Sequence, residues 1–179
     1  DQVRLAGSDD DFVLGFANAE SGEIYGLELE GYKTLPRGMF VSGNMTLSDS
    51  QITLDPALAT ILTNRTRRLT GHSEWVFNAT FGFDSGNARH SAYLNFNAFG
   101  ERIFFAGTGQ NDDAYEQPFN SLGLVYKYFP TDRVQVELEI DNVLDEEREF
   151  EQRNSNGQIA RILTQQVGRS LGLSARWSF

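Results

Sequence analysis

Polar and apolar residues alternate along most of this chain, with the period of an extended strand rather than of a helix. From Gly168 to Phe179, Leu171, Leu173, Ala175, Trp177 and Phe179 fall on one face, and Gly168, Ser170, Gly172, Ser174, Arg176 and Ser178 on the other. Successive side chains of a strand point to opposite faces, so this segment has one apolar side and one wet side. The same reading picks out Ile24–Leu35, Met39–Ser48, Glu74–Phe83, Ser91–Phe99, Leu122–Tyr128 and Val134–Asn142. In the last of these, Val134, Val136, Leu138 and Ile140 alternate with Gln135, Glu137, Glu139 and Asp141. Wound as a helix, that order would scatter its apolar groups around the cylinder. Seven such strands in succession predict an all-β, antiparallel sheet that is wet on one side.

The connections alternate strictly between short and long. Pro36–Gly38, Asp84–Arg89 and Pro130–Arg133 are short; those at about 49–70, 100–119 and 143–167 are long. Outer-membrane barrels have this asymmetry, with short periplasmic turns and long extracellular loops. The strand from Ile24 then runs from the long-loop side to the short-turn side. Residues 1–21 are expected outside, with Asp9-Asp10-Asp11 opening a polar segment and Phe12–Ala17 at most a short eighth strand. A closed single-chain bacterial barrel has an even number of strands and both ends in the periplasm. The odd number expected here makes residues 1–179 the C-terminal part of a larger transmembrane β-barrel. The alternative is a small complete barrel of eight strands with a structural or adhesive role, in which Phe12–Ala17 pairs with the last strand.

Composition changes this picture little. A mean hydropathy of −0.39 resembles that of a soluble protein, but only alternate residues of a barrel strand meet lipid. There is no apolar run of about 18 residues, which excludes a transmembrane helix. The opening Asp1-Gln2-Val3-Arg4-Leu5 has no secretion-signal pattern, so such a leader is expected to have been cleaved or to lie on a longer chain. A net charge of −10 argues against nucleic-acid binding, and the absence of cysteine removes disulfides and thiol chemistry. No catalytic, cofactor-binding or metal-ligating set is expected. There is no Gly-x-Ser-x-Gly elbow to support a serine hydrolase. His72 and His90 fall at opposite ends of one strand. Asn64-Arg65-Thr66 and Asn78-Ala79-Thr80 have the form of glycosylation sequons, which carry little meaning in a bacterial outer membrane.

Several segments resemble TonB-dependent outer-membrane receptors. Ile24-Tyr25-Gly26-Leu27-Glu28-Leu29-Glu30 is similar to an aromatic-Gly-apolar-Glu-apolar-Glu strand of that family. Asp141-Asn142-Val143-Leu144-Asp145-Glu146-Glu147 resembles its Asn-Leu-Phe-Asp signature, with Val143-Leu144 in place of Leu-Phe. Gly168-Arg169-Ser170 followed by a strand ending Trp177-Ser178-Phe179 resembles its terminus. Phe99-Gly100-Glu101-Arg102-Ile103 and Tyr115-Glu116-Gln117-Pro118 resemble a proteobacterial branch. The resemblance covers residues 22–179 and implies a barrel of about 22 strands with a plugged lumen. It implies import of a scarce solute (siderophore, cobalamin or carbohydrate) across the outer membrane of a Gram-negative bacterium. The implied partners are membrane lipid, the remaining strands and plug from the same or another chain, and TonB acting through the plug. Nothing in the chain matches the plug. The last strand, with Leu173, Ala175, Trp177 and Phe179, resembles the signal read by the barrel-assembly machinery, although Ser174 stands where that signal usually has glycine.

On the wet faces Glu28, Glu30, Glu74, Lys127, Glu137, Glu139, Asp141 and Arg176 are expected to project into the lumen. The plainest role for them is wall hydration and ion pairing; the functional alternative is plug docking or a solute path. In the long loops, Arg65, Arg67 and Arg68 have the chemistry to hold lipid phosphate or an anionic solute, and the plainer reading of them is a solvated basic loop. Asp112, Asp113 and Glu116 form an acidic cluster, as do Asp145, Glu146 and Glu147. Neither has the spacing of an EF-hand calcium loop.

Overall fold

The structure is a computed structural model that describes residues 19–56 and 62–179 in full, and residues 2–6 and 12–16 by their backbone. The polar segment Asp9-Asp10-Asp11 and Ala17 lie outside the described residues. The strands are β1 (Gln2–Ala6), β2 (Phe12–Phe16), β3 (Ala19–Thr34), β4 (Met39–Leu54), β5 (Thr66–Arg67), β6 (Trp75–Asp84) and β7 (His90–Phe99). They continue as β8 (Arg102–Phe105), β9 (Ala114–Glu116), β10 (Phe119–Thr131), β11 (Val134–Asp141), β12 (Arg148–Arg153), β13 (Ile159–Gln165) and β14 (Ser170–Trp177). The protein is all-β and antiparallel.

The main sheet is a meander in the order β14-β11-β10-β7-β6-β4-β3, with β5 laddered onto β4. Its seven long strands are those the alternation predicts, and short and long connections alternate as expected. Turn chemistry explains the short ones. At Pro36–Gly38 the proline sets φ while Arg37 and Gly38 take positive φ. At the next turn, Ser85 Oγ accepts from the His90 amide and Asn87 Oδ1 accepts from the Arg89 amide. Gly26 is required by close strand approach, because a Cβ there would lie 2.6 Å from the Leu47 carbonyl oxygen.

Three expectations need correction. First, β3 begins at Ala19 and β4 runs to Leu54, so these strands extend beyond their apolar alternation. Second, the segments read as long loops are largely folded: β8, β9, β12 and β13 make a separate four-stranded sheet in the order β13-β12-β9-β8, hereafter the canopy. Third, no closed barrel is found among the described residues. The main sheet is open, with β3 at one edge and β14 at the other, and β2 ladders with β1 rather than with β14.

Among the described residues the buried apolar side chains lie towards the long-connection side. Ile52, Leu54, Leu62 and Ala106 form a buried cluster with Ala19 and Leu69 against it. Phe150, Ala114 and Ile103 are buried in the canopy, where the Phe150 ring lies 4.4 Å from that of Phe104. The meander strands make their principal contacts with ladder neighbours.

Candidate functional site

The ladder register joins the apolar halves of the strands into one face. A single row runs Val41–Phe81–Leu94–Leu124–Ile140–Leu171 across six strands. A second runs Phe83–Ala92–Tyr126–Leu138–Leu173. This face is uncovered even where strands flank it on both sides: Phe81 is 43% exposed and Leu94 40%. In a soluble sandwich a second layer would bury such residues. Towards the short turns the face carries polar-tipped aromatics, with His90 stacked between Tyr126 and Tyr128 and bonded to the Tyr126 hydroxyl. Trp177 and Phe179 lie at the same end of β14.

The opposite face is built of amides, hydroxyls and charges. One row runs Glu30–Asn44–Asn78–Asn97–Ser121. Asn97 donates to Asn78 at 2.6 Å, and Asn78 donates to Asn44 at 2.7 Å. In the next row Thr80 donates to Asn95 at 2.9 Å. Register puts Glu28, Glu30, Lys127, Glu137, Glu139, Asp141 and Arg176 on this face, spread from one sheet edge to the other. Lys127 pairs with Glu137 at 3.2 Å, Asp141 accepts from Ser170, and Arg176 lies opposite Gln135 on the neighbouring strand. Glu74 is paired with Arg68 just before β6.

The loop arginines are separated and engaged. Arg65 pairs with Glu20 and donates to the Leu54 carbonyl. Arg67 is buried and donates to Thr70. Arg68 bridges Asp49 and Glu74. The acidic residues are likewise dispersed. Asp113 is buried and accepts from the Gly107 amide and from Asn64; Asp112 lies 3.7 Å from Arg153. Glu116 is clamped by Arg102 at 2.7 Å and Arg148 at 2.6 Å. Beside them a trough of about 330 Å³ crosses the canopy past Tyr115, Glu151 and Arg153. Burial pushes the Tyr115 phenol above its usual range, and Asp113 adds to the shift. No group of acidic or histidine side chains able to hold a metal occurs among the described residues. His72 instead bridges the hydroxyls of Ser48 and Ser50.

The segments that carry the family resemblance have structural work in common. Arg102 and Glu116, from two different segments, are register partners as well as an ion pair. Asn142 takes positive φ and donates to the carbonyls of Glu146 and Gly168. Arg169 reaches Asp145 at 3.6 Å. Two segments distant in sequence are thereby tied where β11 ends and β14 begins. Sequence reasoning missed Arg102, Arg148 and Asn142 as positioning residues; the two arginines lie 14 and 32 residues from Glu116, so no local pattern marks them.

No family model matches the chain, and neither the curated proteins nor the solved structures contain a match.

Proposed function

We propose that this chain forms part of the β-barrel of a TonB-dependent transporter in the outer membrane of a Gram-negative bacterium, taking up a scarce solute. The observation that carries this reading is the uncovered apolar face, continuous across six laddered strands, with amides and charges on the reverse. Lipid satisfies the first face and a wet lumen the second. The aromatics near the short turns fit a membrane–water boundary. No described helix is long and apolar enough to cross a membrane.

The open edges support a larger barrel. Apolar residues continue to both edge strands, with Leu29 on β3 and Leu173 on β14 more than half exposed. Further strands, from the same polypeptide or a partner chain, cover these edges and bring the total to about 22 in this reading. The eight-stranded alternative requires a ladder between β2 and β14, whereas β2 ladders with β1.

Topology provides the test. A cysteine at Gly109 or Gly157 is expected to react with a membrane-impermeant thiol reagent on intact cells. One at Gly86 reacts only after the outer membrane is opened. A Cβ meets open space at all three positions, but Gly109 and Gly157 hold φ of +63° and +78°, so a cysteine at either carries backbone strain and each variant is checked for a folded barrel by heat-modifiable migration. Reversed labelling, or equal labelling at all three, overturns the reading.

A further inference from the structure

The polar face contains a concavity whose chemistry is more specific than a generic wet wall. A trough of about 540 Å³ lies over β6, β7, β10 and β11. That volume falls within the range of small-molecule sites. Its floor is Gly123, where an added Cβ would meet nothing closer than 3.8 Å. The glycine therefore leaves space open and relieves no clash. Around the floor stand Asn78, Asn97, Thr80, Asn95, Glu139 and Asp141.

Three features together select a ligand chemistry. First, the hydrogen-bonding groups are donors and acceptors in alternation. The one-way chain Asn97→Asn78→Asn44 uses one N–H and one lone pair per link, and each amide keeps a further N–H and lone pair. Glu139 and Asp141 add acceptors. Vicinal hydroxyls, each both donor and acceptor, complement that set. Second, among the described residues no lysine or arginine lines the trough. An anionic ligand would meet two carboxylates and no cation, which is unfavourable; a neutral solute is accepted. Third, aromatic rings share the wet face, one of them in the trough lining and the others outside it. Phe119 lines the trough and packs 5.8 Å from Phe99. Tyr93, next to Asn95 on that face of β7, packs against Phe40, which packs against Tyr32. Rings on a polar surface offer flat apolar contacts beside hydrogen bonds, matching the two kinds of surface on a pyranose.

We propose that this trough binds a neutral saccharide, its hydroxyls held by the Asn78–Asn97 amides and the Glu139 and Asp141 carboxylates, with Phe119 against a sugar face. The proposal rests on the transporter reading and assigns its substrate class.

The test uses the intact protein extracted from its own outer membrane in detergent. Linear trisaccharides of glucose, xylose and mannose are titrated by calorimetry, with ferric citrate as an anionic probe. At least one trisaccharide is expected to bind. Gly123→Leu, whose Cβ meets nothing closer than 3.8 Å, should weaken binding about tenfold or more, and Asn97→Leu should do likewise. Gly86→Ser, in a distant turn, should leave it unchanged. Heat-modifiable migration in gels checks each variant for a folded barrel. With the barrel folded, failure of all three sugars, preference for ferric citrate, or full affinity in Gly123→Leu overturns the saccharide assignment alone. Absence of a heat-modifiable, membrane-embedded form in the wild type overturns the transporter reading and the assignment with it.

Discussion

Glu137 and Leu138 are consecutive residues in opposite surroundings, and their difference is the most direct measure of the two faces. Leu138 lies in register with Tyr126 and Leu173 on the apolar face, while Glu137 pairs with Lys127 on the polar one. Under the transporter reading, Leu138→Arg places a cation against lipid and is expected to cost about 2–4 kcal/mol near the bilayer midplane. Glu137→Gln keeps a polar group beside Lys127 and should leave folding nearly unchanged. Urea titration of the heat-modifiable form distinguishes them, and equal losses would reject the face assignment. These orientations are legible in sequence because period two assigns a face to every residue of a strand. The clamp on Glu116 is not legible, because its arginines lie 14 and 32 residues away along the chain. Only strand pairing brings them together.

At the scale of elements, the canopy departs furthest from the sequence reading. Its strands are four, three, six and seven residues long, and β8 and β9 are too short for a periodic signal. Glu116 holds this sheet together from the middle, accepting Arg102 of β8 and Arg148 of β12 while 3% exposed at its side chain. Glu116→Ala leaves two arginines without their carboxylate. Because they are partly exposed, the cost is set near the lower end for broken ion pairs, about 2 kcal/mol. Limited proteolysis is expected to cut between β12 and β13 sooner in this variant, with the long strands of the main sheet still protected. Unchanged cleavage would show that the clamp contributes nothing to the canopy. The meander was legible because its strands are long and alternate cleanly. The canopy was not, because its stability comes from a mutual burial of Phe150, Ala114 and Ile103 that leaves no period behind.

For the whole molecule, the unpaired edges decide behaviour. Every backbone group in hydrocarbon needs a partner, and an open edge leaves a row of them without one. Under the transporter reading, residues 1–179 expressed alone are therefore expected to aggregate or be degraded rather than give a monodisperse closed barrel in detergent. Size-exclusion chromatography with light scattering checks this, and a uniform monomer would favour the eight-stranded reading. The sequence alone determined the seven long strands, their order of short and long connections, and which residues share a face. Those properties are local, following from side-chain alternation and turn chemistry. Tertiary structure decided which strands are neighbours, that the sheet of this chain stays open, and that the long connections fold into a second sheet. It also decided that the loop arginines and acids are engaged separately, and that Gly123 opens a trough among amides drawn from different strands. Each of these depends on ladder register between residues far apart in sequence, and alternation within one strand carries no record of its partner.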